Sequence, residues 1–579
     1  MLRPARVVIL GLVALAAAPA RADRVRVDIE GLGGPERNNA SLVLSIAAAA
    51  RDKADLPESR VRQLHEQAAG EIARALEPFG YYRPVVDGTL EKDGDTWRAT
   101  YRVDAGPPLE LEAVEVRVDG PGADEFADLR SAFPLHTGDT LDHTAYESGK
   151  QAFSDRAAAS GYLDAEFDAA RIEIDLERYV SRIVLHFETG PRYRFGKVSF
   201  NQDVLEPGLL QEFVPFEPGD PFDTGKLLEF QGALAESPYF RRVEVLAQED
   251  RATNRRVPID VNLVPSARQR WAVGAGYGTD TGPRGTVDLE LRRINRRGHR
   301  GEANLVLSGI ERSIATKYLV PTGNPRTDQI VYTAAFAVLR PETSKSDTAL
   351  VGATLARARG KWRESFGLTF QREQFEVGVD SGTSVLLMPE AGWSRVVADD
   401  RIFPLRGRML ELRLRGAADS ILSETSFAQA RVEARWFRGL GGNVRAHARV
   451  AVGYMNASDF RRLPASLRFF AGGDRSVRGF GYQELGPRDE EGHVIGGEAL
   501  LTASLEMDYL FLEKFGRWGV AAFYDAGNAM TSLSGHLERG AGAGIRWLSP
   551  IGLVRADVAW PVSQHGGSPR LHLTVGPDL

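Results

Sequence analysis

The sequence contains no cysteine, and this absence excludes disulfides, thiolate nucleophiles, thiolate metal ligands and an N-terminal lipoprotein anchor. Beyond its N-terminal region it also lacks any run of roughly 18 continuous apolar residues, so no transmembrane helix is expected there. It has 72 basic and 78 acidic residues and no basic block resembling a nucleic-acid footprint, so neither DNA nor RNA is an expected partner. Glycine is abundant instead, with 60 residues that crowd into the C-terminal half.

Residues 1–22 have the pattern of a secretory signal peptide. Arg3 and Arg6 form a short basic start, Val7 to Ala17 form an apolar stretch, and Ala20-Arg21-Ala22 supplies a small-x-small cleavage site. The alternative, a transmembrane anchor, would need a longer apolar run. An exported chain without further membrane-spanning helices is periplasmic, secreted or a β-barrel in the outer membrane.

The region between the signal peptide and residue 265 contains a weak internal repeat with a period of about 80 residues. The turns Pro134–Asp139 and Pro215–Asp220 correspond, and each leads to an aspartate, Asp142 or Asp223, placed to cap the following helix. A glycine or proline followed by an aromatic residue closes the second helix of every copy, at Gly80-Tyr81, Gly161-Tyr162 and Pro238-Tyr239. We therefore predict three α+β modules, each with one strand, two helices and two further strands, at residues 23–106, 107–190 and 191–265.

Modules of this kind have sheet edges that can accept another strand, which is a common way to bind extended chains. The alternative interpretation is that the three domains are spacers whose edges are already satisfied.

From residue 266 to residue 579 the helical pattern gives way to apolar–polar alternation with a period of two. One example is the stretch in which apolar Leu410, Leu412 and Leu414 alternate with charged Glu411, Arg413 and Arg415. A soluble β-sandwich would show the same alternation. The length of the region, the arginine-rich and glutamate-rich polar faces, and aromatic residues near segment ends favour a transmembrane β-barrel instead. At roughly 20 residues per strand and connection, we predict about 16 strands. The aromatic residues in question are Trp436, Tyr454, Tyr509 and Tyr524.

A barrel must close on itself in lipid, so its first and last strands meet at a seam. The predicted first strand has glycine at three alternate positions, and the predicted last strand runs from about Arg570 to Val575, before Gly576-Pro577. Glycine weakens a strand and proline cannot donate to its ladder, so this lateral seam should open more easily than the remaining wall. An equally open alternative is that the glycines accommodate a bend. The predicted seam residues are Gly274, Gly276, Gly278, Leu571, Leu573 and Val575, and Gly276 and Leu573 are the pair expected to be close enough for crosslinking.

A loop of about 40 residues separates two of the later strands, and its aromatic residues favour an ordered structure. It contains the element Val477-Arg478-Gly479-Phe480. Further on, Phe523 and Asp525 share one strand face, and Glu506 lies on the polar face of the preceding strand. If these faces line the lumen, we expect Arg478 to enter it and form a bidentate pair with a carboxylate.

The combination resembles the outer-membrane protein-assembly superfamily that includes BamA, TamA and the two-partner secretion transporters. The modules resemble POTRA domains, and Val477–Phe480 with Phe523-x-Asp525 resembles the lumen motif of the superfamily. The segment from Asp399 to Gly407 also resembles a family strand motif. Three modules and this length are most similar to the TamA family. The terminal Gly576–Leu579 is also similar to that family, and it departs from the final phenylalanine usual in outer-membrane proteins.

The resemblance implies insertion of β-barrel proteins, including autotransporters, into the bacterial outer membrane. It implies unfolded outer-membrane proteins as clients and a TamB-like, inner-membrane-anchored periplasmic protein as partner, in contact with the first module. Two alternatives are a secretion pore for one partner protein and the outer-membrane end of a lipid-transport bridge. No enzyme, cofactor or metal is predicted, because the ten histidines are scattered and no nucleophile elbow is present. The glycine spacing at Gly540, Gly542 and Gly544 lacks the helix that phosphate-binding loops need.

Overall fold

The computed structural model describes residues 24–51, 56–94, 96–512, 517–549, 552–564 and 566–575. The predicted signal peptide and the Gly576-Pro577 pair lie outside the described residues. The chain divides into two compact units, of which the first ends at residue 197 but also takes in residues 216–227 and 247–259, and the second holds residues 198–215, 228–246 and everything from 260 onward. None of the helices within the described ranges is both long and apolar enough to cross a membrane.

The first module is a three-stranded sheet with helices on one face. The central strand β3 runs parallel to β1 and antiparallel to β2. Helix α3 presents an apolar stripe with helical spacing, which packs beneath Trp97 and Tyr101 of β3. Three helices replace the predicted two, because buried Leu44 takes an extended conformation and divides the first helix. The elements are β1 (Arg24–Glu30), α1 (Gly34–Val43), α2 (Ser45–Arg51), α3 (Glu58–Leu76), β2 (Val85–Asp93) and β3 (Thr96–Asp104).

The second module has the same strand order, with its last strand in the centre of the sheet. Asp142 caps helix α5, because its carboxylate accepts from the amides of Thr144 at 2.7 Å and Ala145 at 3.0 Å. Gly161 ends this helix with φ +83°, a conformation that favours glycine, and Tyr162 then enters the core. The elements are β4 (Glu110–Asp119), α4 (Ala127–Ser131), α5 (His143–Ser160), β5 (Glu166–Asp175) and β6 (Val180–Glu188).

The third module repeats this order, with β9 between β7 and β8. The carboxylate of Asp223 accepts from the amide of Lys226 at 3.0 Å and caps helix α7, as the sequence predicts. Tyr239, which follows that helix, is buried. The elements are β7 (Arg194–Asn201), α6 (Pro207–Gln211), α7 (Thr224–Glu236), β8 (Phe240–Ala247) and β9 (Arg256–Pro265).

Beyond the third module, sixteen antiparallel strands form one sheet in sequence order, a nearly closed β-barrel. The predicted fold class, α+β modules followed by a 16-stranded β-barrel, is confirmed. The strands are β10 (Gln269–Gly278), β11 (Gly282–Leu291), β12 (Arg300–Ser308), β13 (Glu311–Pro321), β14 (Gln329–Leu339), β15 (Ser344–Arg359), β16 (Trp362–Val377), β17 (Asp380–Ala398), β18 (Arg406–Ala417), β19 (Phe427–Gly441), β20 (Val444–Ala457), β21 (Ala499–Leu512), β22 (Arg517–Met530), β23 (Glu538–Ser549), β24 (Gly552–Pro561) and β25 (Arg570–Val575).

Side chains alternate between the outer and inner faces of the barrel wall. In β21, Leu505, Met507 and Tyr509 are about half exposed on the outside, whereas Glu506 and Asp508 are buried inside. The four aromatic residues named in the sequence analysis all lie on the outer face. We call the rim that holds the start of β10 the entry rim and the opposite one the far rim. Because neighbouring strands are antiparallel, the turn between β10 and β11 lies at the far rim and the turn between β11 and β12 at the entry rim.

Candidate functional site: the lumen loop and the barrel seam

The segment 458–498, between β20 and β21, folds inside the barrel; we call it the lumen loop. It is ordered by isolated β-bridges, such as the one between Phe469 and Gly497, and by a core of its own. Val477 and Phe480 are completely or almost completely buried in that core, together with Leu386 and Met388 of the wall strand β17. Aromatic and aliphatic packing therefore holds the loop against the wall.

Arg478 extends from the lumen loop to the inner face of strands β21, β22 and β24. Its guanidinium donates to both carboxylate oxygens of Asp525, at 2.8 and 3.0 Å, and its backbone amide donates to the same carboxylate at 3.0 Å. It also donates to Glu506 at 2.7 Å and Asp557 at 3.0 Å. Its Cζ atom lies 3.4 Å from the centroid of the Phe523 ring. The structure thus brings together the predicted loop motif and all three predicted partners, and adds Asp557.

Two other arginines, Arg546 and Arg445, form ion pairs with the carboxylates around Arg478 and compensate their negative charge. Arg546 donates to Glu506 at 2.7 Å and pairs with Asp557. Arg445 pairs with Asp508 nearby. All five of these side chains are at least nine-tenths buried. Charges removed from water require such partners, so loss of one member would leave others uncompensated.

Two features require glycine at position 479: its backbone conformation and its close contact with the barrel wall. Its φ is +96°, and a Cβ atom there would lie 2.9 Å from the backbone carbon of Trp560 in β24. A Cβ atom on Gly540 of β23 would in turn overlap the carbonyl oxygen of Arg478, at 1.9 Å. The loop backbone therefore contacts the wall so closely that only glycine fits at either position.

A second anchor, which the sequence analysis did not predict, holds the loop to the opposite part of the wall. Arg468 is buried and donates to Asp380 of β17 at 3.1 Å and to the carbonyl of Leu463 at 2.8 Å. Beside it, the hydroxyl of Ser466 donates to buried Glu373 of β16. Arg468 belongs to the loop that the sequence predicts to be ordered, but no sequence pattern pairs it with an aspartate almost 90 positions earlier.

At the seam, β10 and β25 are neighbours without a backbone ladder. Across the described strands, β10 pairs only with β11, and β25 pairs with β24 over six residues. The amide of Leu573 donates to the hydroxyl of Thr279, just after β10, at 3.1 Å. Of the predicted seam glycines, Gly276 has open space around it, whereas a Cβ on Gly274 would lie 2.5 Å from the hydroxyl of Thr286. Lack of space for a side chain therefore explains glycine at Gly274 but not at Gly276.

Leu573 lies beside Gly278 rather than Gly276, which corrects the crosslinking pair expected from the sequence. The Leu573 carbonyl oxygen is 3.8 Å from the position of a Cβ atom on Gly278. A Cβ atom on Gly276, by contrast, would have no heavy atom within 4 Å. Leu571 and Val575, the other predicted residues of β25, are about half exposed on the outer face.

Polar groups of the lumen loop bridge both sides of this seam, and we call this network the seam latch. The Asp474 carboxylate accepts from the hydroxyl of Thr279 at 3.0 Å and from Nδ1 of His572 in β25 at 2.6 Å. Nε2 of His572 accepts from the Gly479 amide at 3.0 Å, so the proton on the ring belongs to Nδ1. The Asp474 amide donates to Asp280 at 2.7 Å. One loop residue thus joins the first hairpin turn to the last strand.

Asp280, Asp474 and His572 also form the one cluster of potential metal ligands found within the described residues, with ligand atoms within 4.8 Å of one another. Both nitrogens of His572 are already engaged, so the arrangement is that of a hydrogen-bond network. Burial raises the pKa of the Asp280 carboxyl above its ordinary value, and the hydrogen bond from the Asp474 amide opposes this shift.

We expect Asp474→Ala to loosen the seam. The substitution removes the acceptor shared by Thr279 and His572, and hydrogen bonds to charged groups are worth about 1.5–3 kcal/mol each. Amides of β25 should therefore exchange hydrogen roughly tenfold faster or more. Glu490→Ala, at an exposed position of the same loop, is the control. Equal exchange in both variants would show that the latch does not restrain the strand.

The segment from Asp399 to Leu405 is a turn at the entry rim between β17 and β18, and not the strand motif expected from the sequence. The Asp399 carboxylate accepts from the amides of Leu405 and Arg406, each at 3.0 Å. Phe403 points into the barrel, where the Arg445 guanidinium lies 3.6 Å from its ring centroid. A carboxylate that accepts hydrogen bonds from several backbone amides stabilises a turn, so the role of Asp399 here is to fix the backbone conformation.

Family models match three parts of the chain. Residues 332–577 match the Omp85 superfamily domain. Residues 26–105 match a POTRA domain described as TamA domain 1, and residues 115–190 match a POTRA model described as a surface antigen variable number repeat.

Similarity extends to proteins named outer membrane protein assembly factor BamA. The protein from Nitratidesulfovibrio vulgaris is 23% identical over 456 residues, which cover 73% of this chain and 56% of that protein. The protein from Neisseria meningitidis is 22% identical over 586 residues, which cover 87% of this chain and 72% of the relative. The chain thus spans little more than half of the first relative's length.

The crystal structure of BamA from Haemophilus ducreyi lacking POTRA domains 1–3 has the same fold. It superposes with a TM-score of 0.69 at 17% identity, covering 81% of this chain and all of that structure. The matched modules, the barrel and the BamA relatives agree, and they locate the barrel in the outer membrane and the modules in the periplasm. The chain belongs to the Omp85 superfamily of outer-membrane β-barrel proteins with POTRA domains.

Proposed function

We propose that this protein is a TamA-type assembly factor that inserts β-barrel proteins, including autotransporters, into the outer membrane. The observation that carries the proposal is the seam, where the latch takes the place of a backbone ladder between β10 and β25. The unpaired edge of β10 has free amide and carbonyl groups at its seam side, and an incoming client strand can pair with such an edge by β-augmentation.

In this mechanism the latch opens, β25 moves away from β10, and the first strand of the client pairs with β10. Later client strands add in turn, and the client leaves when its own first and last strands meet. No nucleotide is required, because hydrogen bonding within the new sheet and burial of its apolar face in lipid supply the free energy. The proposed groups act by pairing and positioning, so we expect no covalent catalysis.

The first module is the proposed contact for a TamB-like periplasmic partner. Its sheet has two edge strands, β1 and β2, and Val85 at the start of β2 is 60% exposed. The match of this module to the first TamA POTRA domain supports the assignment. An extended segment of the partner can add to such an edge.

The test is reconstitution of the purified full chain in phospholipid vesicles, followed by addition of a urea-denatured β-barrel client. We expect the client to become heat-modifiable and protease-protected about tenfold faster than in empty vesicles, which corresponds to a barrier lowered by roughly 1.4 kcal/mol. Unchanged insertion rates would contradict the proposal. Steady conductance with export of one partner protein would favour a secretion pore, and faster lipid transfer between vesicles would favour a lipid-transport bridge.

A further inference from the structure

The turn between β11 and β12 at the entry rim has a local excess of positive charge. Five arginines and one histidine occur within residues 292–300, although the whole chain is acidic. This cluster is much shorter than a nucleic-acid footprint, which is the only kind of basic block that the sequence was predicted to lack. We call residues 292–300 the basic turn; its cationic members are Arg292, Arg293, Arg296, Arg297, His299 and Arg300.

The basic turn is held in one conformation. The Ile294 amide donates to the His299 carbonyl at 2.7 Å, and the Asn295 side chain accepts from the amides of Arg297 and His299. Gly298 has φ +74° and its carbonyl accepts from the hydroxyl of Tyr239 at 2.6 Å. Its arginines therefore extend from a fixed backbone, which reduces the entropy lost when they bind a ligand.

Three of these arginines leave most of their positive charge available to an external partner. Arg296 is exposed, and Arg297 has a side chain that is 75% exposed, with its closest carboxylate oxygen, on Glu206, at 3.9 Å. Arg293 is partly exposed, and no ion pair to it is found among the described residues. By contrast, Arg292 lies near Glu290 and Arg300 donates to Gln329. The outward charge belongs to Arg293, Arg296 and Arg297.

Neighbouring side chains place the turn at the depth of lipid headgroups. Trp271 and Tyr318 face the membrane at the entry-rim ends of β10 and β13, where interfacial aromatic residues are typical. The Tyr318 hydroxyl is 2.6 Å from Nδ1 of His299, so the basic turn begins where this aromatic belt ends. The entry rim faces the periplasm, because β10 begins there directly after the last strand of the periplasmic third module. The adjacent leaflet of the outer membrane consists of phospholipid.

We propose that Arg293, Arg296 and Arg297 bind the headgroups of anionic phospholipids in the periplasmic leaflet, next to the seam. An arginine fork matches two oxygens of a phosphodiester, and the anionic lipid carries a net charge that a zwitterionic lipid lacks. A lipid is favoured over an acidic protein because the charges adjoin membrane-facing side chains. The first strands of the barrel, which lead to the seam, would then be bordered by selected lipids.

Native mass spectrometry of the full chain tests this, with equimolar phosphatidylglycerol and phosphatidylethanolamine of the same acyl chains. We expect the chain to retain phosphatidylglycerol preferentially. The triple variant Arg293→Gln, Arg296→Gln, Arg297→Gln should reduce this preference by roughly fivefold for each arginine that contacts a headgroup. Lys361→Gln with Arg363→Gln, in the exposed turn before β16 and at the start of that strand, is the control and should leave the preference unchanged.

The preference should also decrease as the salt concentration rises, because the contacts are exposed to solvent. Retention of both lipids in equal amounts by the unmodified chain would overturn the proposal. So would an equal loss of preference in the triple variant and the control. Heat-modifiability of each variant verifies that the barrel is folded. If the triple variant keeps its lipid preference but loses affinity for an acidic peptide, the basic turn binds protein instead.

Discussion

Joining β10 to β25 by a short bis-methanethiosulfonate linker between Gly278→Cys and Leu573→Cys is expected to abolish client insertion. The Leu573 carbonyl oxygen lies 3.8 Å from the position of a Cβ atom on Gly278, so the linker can span the seam, and the sequence has no cysteine that could compete for it. A covalent link there prevents β25 from moving away from β10. Insertion in the vesicle assay should fall to the rate of empty vesicles after linking and return to normal when a reductant cleaves the linker.

The matched control joins two strands that the mechanism keeps together. Val273 and Val287 are register partners in β10 and β11, on the outer face of the wall. The same linker between Val273→Cys and Val287→Cys should leave insertion unchanged. If the seam cysteines are linked quantitatively and insertion continues at the normal rate, clients do not enter through this opening.

The second large effect is expected from Arg478→Ala. The substitution leaves the buried carboxylates of Asp525, Glu506 and Asp557 without their shared cation, and breaking a buried ion pair in this way costs about 3–5 kcal/mol. We expect the lumen loop to become sensitive to trypsin and the barrel to unfold at a lower temperature by heat-modifiability. Client insertion should fall with it.

Two comparison variants separate the role of charge from that of geometry. Arg478→Lys retains the charge but cannot form the bidentate contact with Asp525, so an intermediate loss is expected. Arg475→Ala removes an exposed arginine three residues away and should have little effect. A loop that stays protease-resistant in Arg478→Ala would show that apolar packing alone retains it.

Much of the fold could be predicted from the alternation of apolar and polar residues along each strand, which is visible in short stretches of sequence. A strand with lipid on one side and lumen on the other must alternate, so the barrel and its approximate number of strands could be predicted. The inner position of Asp525 and Glu506 followed from the same period. Asp557 has the same signal, because it alternates with outer-face Val558 in β24, and it could have been included.

Contacts that join distant segments could not be predicted in this way. The pairing of Arg468 with Asp380 depends on how the lumen loop folds back across the barrel, and the seam latch depends on a turn, a loop and the last strand meeting at one rim. The alignment of the two seam strands could not be predicted for the same reason, because no turn connects β10 to β25 and fixes their register. The resemblance to a family supplied the motif at Arg478, whereas Asp474 and His572 carried no comparable signal.

The double anchoring of the lumen loop has a consequence for how it could leave the barrel. Arg478 and Arg468 form ion pairs with two separate parts of the wall, and the core of the loop lies between them. Releasing one anchor exposes the apolar core of the loop to water while the other anchor still restrains the chain. A half-withdrawn loop therefore gains little conformational entropy and has a high free energy. Withdrawal should therefore be a single cooperative event, and any current through the barrel should switch between discrete levels rather than vary continuously.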